Sequence, residues 1–128
     1  MVKVEFFRSS GKIISFKIKG HAIPKEVQVD VDLICTAISA ISQTTVIGIE
    51  EVLKIKVKYD IEDGFLNLNL EDVTLEDIER CQVLLETMIL GLKSIEITYS
   101  DYIKVETEEV EYHASYEPSV ICSQKRSR

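Results

Sequence analysis

The sequence predicts a single α+β domain in the order ββαββα with a candidate final strand, two helices packed on a mostly antiparallel sheet. Three observations carry this reading. Ile14, Phe16 and Ile18 alternate with Ser15, Lys17 and Lys19, the period of a half-buried strand. Apolar residues recur at helical spacing in two stretches, opening at Asp32 and at Thr74. Asp63-Gly64 separates two short strand-like runs, a strong hairpin signal because Gly tolerates positive φ.

The elements follow in order. Val2 to Phe7 reads as a strand, Ser9-Ser10-Gly11 as a turn, and Ile13 to Lys19 as a second strand ended by Gly20. His21 to Val31 has no clean helical period and contains Pro24, so it reads as a loop. Asp32, a preferred N-cap, then opens a helix to about Leu53, with Ile34, Ile38, Ile41, Thr45, Ile49 and Val52 as its periodic set. Lys54 to Tyr59 and Phe65 to Leu70 are the next two strands. Thr74 with Asp77 three residues on marks a second helix start, and Leu75, Ile78, Leu85, Ile89, Leu92 and Ile95 give that helix an apolar face as far as about Ser100. Tyr102 to Val110 is the candidate final strand. The domain is expected to occupy residues 1–110, with 111–128 as a polar, basic-ended tail. Gly48 and Gly91 fall inside the helices, where Gly costs about 1 kcal/mol against Ala, so close helix packing, within the chain or across a dimer, is the expected reason for them.

Composition narrows the function. The 128 residues carry 15 basic and 22 acidic side chains, a formal charge of −7, with 45% apolar and 29% charged types. That is a globular composition of ordinary domain size. The acidic balance argues against a nucleic-acid scaffold, whose phosphate contacts need clustered Lys and Arg. It suits a basic partner. No uninterrupted apolar run approaches a membrane span, and the opening Met1-Val2-Lys3-Val4-Glu5 has no basic leader before an apolar stretch. A reduced, cytoplasmic setting is therefore expected.

Three cysteines, Cys35, Cys81 and Cys122, lie far apart with no CxxC pair, so neither a metal nor any other cofactor is expected. Cys35 is the best-placed thiol. With Asp32 as N-cap it stands in the first helical turn, where unpaired N–H groups and the positive end of the helix dipole favour a thiolate. The Asp32 carboxylate partly opposes that effect unless its capping bonds absorb its charge. Cys81 reads as a buried small hydrophobe inside the second helix, and Cys122 as an exposed tail residue. A thiol nucleophile needs a base. His21 follows Gly20 at a strand end just before the loop to Cys35, and can meet Cys35 if that strand packs beside the helix. The competing reading is a backbone-bonded histidine and a core cysteine. His113 lies in a segment without such context. Ser39, four residues after Cys35 on the same helix face, either supports a site there or bonds back to the preceding turn. The acidic run Glu106 to Glu111 reads as a solvated face.

Gly20-His21-Ala22, then Asp32-Leu33-Ile34-Cys35-Thr36-Ala37-Ile38-Ser39, resembles the paired signature of the ribosomal-processing cysteine protease (Prp) family. Members usually show Gly-His-Ala followed by Asp-Ile-Val-Cys-Ala-Ala-Val-Ser. Similarity continues through Ala40-Ile41-Ser42-Gln43-Thr44 and Gly48-Ile49-Glu50, over about residues 1–107. The resemblance implies a small α+β homodimer, a bacterial cysteine endopeptidase that needs no cofactor. Its substrate would be the short N-terminal extension of large-subunit ribosomal protein twenty-seven, cut after an aromatic residue. It implies Cys35 as nucleophile and His21 as general base, with Gly20, Asp32 and Ser39 as supporting positions. Asp30 competes with Asp32 as the nearby carboxylate, and spacing to Cys35 favours Asp32. The intervening loop, Ile23 to Val31, lacks the glycines usual in the family, contains Pro24 and is about two residues longer. Such a loop should be stiffer.

Two other classes of function fit the same residues. One is a non-catalytic ribosome-associated interaction module of the same fold. The other is a thiol redox sensor, for which the sequence offers no neighbouring resolving cysteine.

Overall fold

The computed structural model describes residues 1–21 and 33–111. Five strands, β1 (Val2–Ser9), β2 (Lys12–Lys19), β3 (Lys58–Glu62), β4 (Phe65–Asn69) and β5 (Ile103–Glu109), form one sheet in the order β3-β4-β2-β1-β5. Three pairings are antiparallel, and β1 with β5 is parallel. Helix α1 (Leu33–Ile47) runs into a π-helical segment, Gly48–Val52, and α2 is Leu75–Thr98. The order is the expected ββαββα with its final strand.

Strand alternation decides where the helices lie. Val2, Val4 and Phe6 of β1 oppose Ile18 and Phe16 of β2, which oppose Leu66 and Leu68 of β4, and all are buried. The reverse face carries Lys3, Glu5, Lys17, Lys19, Asp60 and Glu62. One apolar face buries one layer of helix. Ile78, Cys81, Leu85, Met88, Ile89 and Leu92 of α2 join Ile38, Val46 and Ile49 from the first helical stretch in a single core. Because β2 and β3 are both antiparallel to β4, they run the same way, and α1 is a crossover between them. It returns along the sheet from the end where β2 stops to the end where β3 starts.

The first hairpin turns at Ser10 and Gly11, with φ of 52° and 83°, so Ser9 and Lys12 pair across a two-residue loop. A bulge in β2 lets Phe7 pair with Ser15 but Arg8 with Ile13. Ile13 and Ile14 are consequently both buried, which strict alternation does not foresee. β4 pairs with β2 as far as Ser15, the Leu70 N–H still reaches the Ile14 carbonyl at 2.9 Å, and the Gln82 amide takes over at Ile13. Its Oε1 accepts from the Ile13 N–H at 2.8 Å, and its Nε2 donates to the Ile13 carbonyl at 2.9 Å. Arg8 ties the same corner to α2 through two bonds to Glu86, at 2.6 and 2.9 Å.

Three expectations shift. The first helix is expected from Asp32 to Leu53; Leu33–Val52 is helical, but its last turn is π, closed by the Leu53 N–H to the Gly48 carbonyl at 2.9 Å. The wider turn rotates the face, so Val52 is 74% exposed although it continues the periodic set. The strand expected at Lys54 to Tyr59 begins at Lys58 and runs to Glu62. Lys54 sits at φ 59°, off the extended path, yet Ile55 and Val57 are still buried from an irregular segment. In α2, Thr74 caps the helix as expected, its hydroxyl accepting from the Asp77 N–H at 3.2 Å, while Leu75 remains exposed on the first turn. By length and composition alone, Leu33–Val52 could cross a bilayer. Ile38, Val46 and Ile49 instead pack into the core, and the stretch is a packing helix of a folded domain.

Of the two helix glycines, Gly48 marks the tight approach. A Cβ there would lie 2.9 Å from Leu84 Cδ1 of α2, whereas at Gly91 it would lie an ordinary 3.7 Å from Ile41 Cδ1. Gly91→Ala should therefore stabilise the fold by about 0.5–1 kcal/mol through helix propensity. Gly48→Leu should cost about 1–3 kcal/mol through overpacking. Urea midpoints at constant slope measure both, and a stable Gly48→Leu would remove the packing account.

The Arg8 guanidinium beside Glu86 holds the Glu86 carboxyl below the ordinary carboxylate range. That contribution is present above the unfolded Glu value of about 4.3 and is lost as pH falls through the lower folded value. The stability gap between wild type and Arg8→Met should shrink on acidification through that window. It should be small throughout, because Glu86 is 42% exposed.

Candidate functional site

Gly20 leaves β2 with φ of 105°, and a Cβ there would collide with the Met1 carbonyl oxygen, so both conformation and space require glycine. Its N–H donates to the Gly64 carbonyl at 3.0 Å. His21 follows, its own carbonyl accepting from the Met1 amino group at 2.8 Å. The Val2 N–H then donates to the Tyr102 carbonyl at 2.8 Å. The backbone that presents His21 is thus held between the first strand and the β3–β4 turn. The imidazole lies over that turn. A Cβ on Gly64 would lie 2.7 Å from Nε2 and 3.0 Å from Cε1 of His21.

Cys35 is the third residue of α1, partly buried and packed against the core. No acidic residue stands in the described first turn of α1 to oppose the dipole. Backbone N–H groups at such a turn favour an anion. The crossover geometry starts α1 from the end of the sheet at which β2 delivers His21. Both residues therefore belong to one end of the molecule, joined by the segment 22–32. Asp32, the expected N-cap, the competing Asp30 and the loop Ile23 to Val31 lie outside the described residues, as do His113, Cys122 and the tail from 112.

Ser39 is exposed on α1, one turn after Cys35. Backward bonding to the preceding turn is made by Ser42, whose Oγ donates to the Ile38 carbonyl at 2.7 Å, and by Thr45, whose Oγ1 donates to the Ile41 carbonyl at 3.0 Å. Both side chains are buried, so the bonds satisfy hydroxyls that water cannot reach. Cys81 is fully buried as expected, and burial pushes its thiol up to about 11, with Asp77 adding to the shift. Among the described residues no cluster of His, Cys, Asp and Glu could hold a metal ion. In the sequence alone Gly64 reads only as a turn former. Its contact with His21 depends on sheet register and leaves no local signal.

The thiols should separate by chemistry. In a Cys122→Ser background at about pH 8, iodoacetamide should label Cys35 in the native protein and reach Cys81 only after unfolding. Peptide mapping by mass spectrometry reads this directly; native labelling of Cys81 would contradict its burial.

The family model described as cysteine protease Prp matches residues 1–104. No curated protein sequence matches the chain. A crystal structure from Streptococcus mutans superposes with a TM-score of 0.71 at 23% identity, covering 86% of this chain and 96% of that one. The essential ribosomal processing protease Prp from S. aureus, with a covalently linked product peptide, gives 0.72 at 22% identity, covering 84% and 100%. The same protease with a substrate peptide gives 0.71 at 21%, with the same coverage.

Proposed function

The chain belongs to the cysteine protease Prp family, and on that premise we propose that it is an endopeptidase using Cys35 as nucleophile and His21 as general base. The observation that carries the reading is the family match across residues 1–104, a span that holds a strand-end histidine and a first-turn cysteine at the same end of the sheet. His21 takes the thiol proton, the Cys35 sulfur adds to the scissile carbonyl, and the amine product leaves with a proton returned by the imidazole. Water then hydrolyses the thioester. Backbone N–H groups at the start of α1 are the candidate oxyanion donors, each worth roughly 3–4 kcal/mol when well aimed. Asp32 and Ser39 would support the site, and Gly20 sets the backbone from which His21 projects. The mechanism requires no metal or other cofactor.

The proposed substrate is the N-terminal extension of large-subunit ribosomal protein twenty-seven, removed so that the mature protein can serve near the peptidyl-transferase centre. The S. aureus relative named as a ribosomal processing protease supports that choice. The setting is the bacterial cytoplasm, where ribosomes assemble, and the working form is a homodimer.

A synthetic peptide carrying the host protein's extension tests the proposal, with products followed by mass spectrometry. Wild type should cut at one site after an aromatic residue. Cys35→Ala should abolish cleavage, and His21→Ala should lower it by roughly 10²–10⁴-fold. Intact peptide after incubation with folded wild type would instead favour the non-catalytic interaction module.

A further inference from the structure

We propose that Gly64, in the β3–β4 turn, is a positioning residue for His21: its lack of a side chain forms the seat on which the imidazole rests. The inference builds on the reading of His21 as general base. Gly64 is distant from His21 in sequence, and sheet register brings them together. Lys19 of β2 pairs with Phe65 of β4, so the next residues, Gly20 and Gly64, meet at the sheet end. The Gly20 N–H to Gly64 carbonyl bond, at 3.0 Å, continues the ladder past its last strand pair.

Two independent features of Gly64 make the seat. Its φ of 74° is a conformation that L side chains rarely adopt. Separately, the position of its absent Cβ faces three ring atoms, Nε2 at 2.7 Å, Cε1 at 3.0 Å and Cδ2 at 3.4 Å. A methyl group there cannot coexist with the ring as placed. With the His21 backbone fixed at its carbonyl by Met1, the ring must turn about its own torsions. A general base must stay within about 2.6–3.2 Å of the proton it takes, so such a turn reaches the chemistry.

The first hairpin supplies a matched control. Gly11 also has positive φ, 83°, but nothing lies within 4 Å of where its Cβ would be. Gly11→Ala therefore imposes the backbone strain of a turn alanine without touching a histidine. In the full chain, Gly64→Ala should lower kcat on the extension peptide by roughly 10²-fold, the scale of a misplacement near 1 Å, with KM little changed. Gly11→Ala should keep kcat within about twofold.

Proton NMR gives a readout that bare destabilisation does not move. With His113→Gln removing the second histidine, the His21 Hε1 resonance should shift in Gly64→Ala and stay in place in Gly11→Ala. Wild type should show a nuclear Overhauser contact between His21 Hε1 and the Gly64 Hα protons. That measurement decides the matter even if Gly64→Ala does not fold. Absence of the contact, or an unmoved resonance in folded Gly64→Ala while His21→Ala is inactive, overturns the seat alone. Full activity in His21→Ala overturns the base assignment and the positioning role with it.

Discussion

The fold rests on a sheet with a single apolar face. Phe6 and Phe16 stand opposite each other at its centre, ring centroids 5.7 Å apart and tilted by 40°. Their neighbours on that side are aliphatic, and the charged side chains of Lys3, Glu5, Lys17 and Lys19 stand on the reverse side. Both helices must then lie on the same side, because only one face returns free energy on burial. With the helices confined to one layer, each long connection becomes a crossover between parallel strands. The first crossover, β2 to α1 to β3, is the one that passes through His21 and Cys35. The end of the sheet to which His21 and Cys35 belong thus follows from how the core is covered.

Polar groups at the edges of this arrangement are satisfied locally. Gln82 substitutes for a missing strand at Ile13, and Arg8 links the hairpin corner to Glu86. On the outer strand, the Val105 N–H donates to Glu96 of α2 at 3.0 Å, which blunts an edge otherwise open to pairing. Arg80 reaches the Leu53 carbonyl at 3.1 Å and holds the exit of the π turn. Each of these bonds reaches from α2. That helix, besides supplying the largest share of the core, clamps the periphery of the sheet.

Much of this was legible in the chain itself. Alternation at Ile14, Phe16 and Ile18, the Asp63-Gly64 turn and the Thr74 cap each act through neighbours in sequence, so each could be read there. The errors arise where geometry departs from an ideal period. The bulge buries Ile13 with Ile14, the π turn exposes Val52, and the positive φ of Lys54 delays β3. The candidate site divides in the same way. Gly20-His21 and the first-turn position of Cys35 are local patterns. The bearing of Gly64 on His21 comes from pairing between strands far apart in the chain, which no local pattern encodes.

Parallel pairing of β1 with β5 sets residue 2 beside residue 103. The flank of β1 that β5 covers stays open until residue 103 and its successors have been synthesised. High contact order of this kind slows folding, since the loop must close before its contacts reward it. Val2 and the Tyr102 carbonyl it bonds to also belong to the support around Gly20 and His21. Synthesis and maturation are therefore ordered in time: β2, which leads into His21, emerges before β5, and the surroundings of His21 are complete only when β5 arrives. A nascent chain that stalls before β5 would carry both His21 and Cys35 and lack the finished scaffold that holds His21.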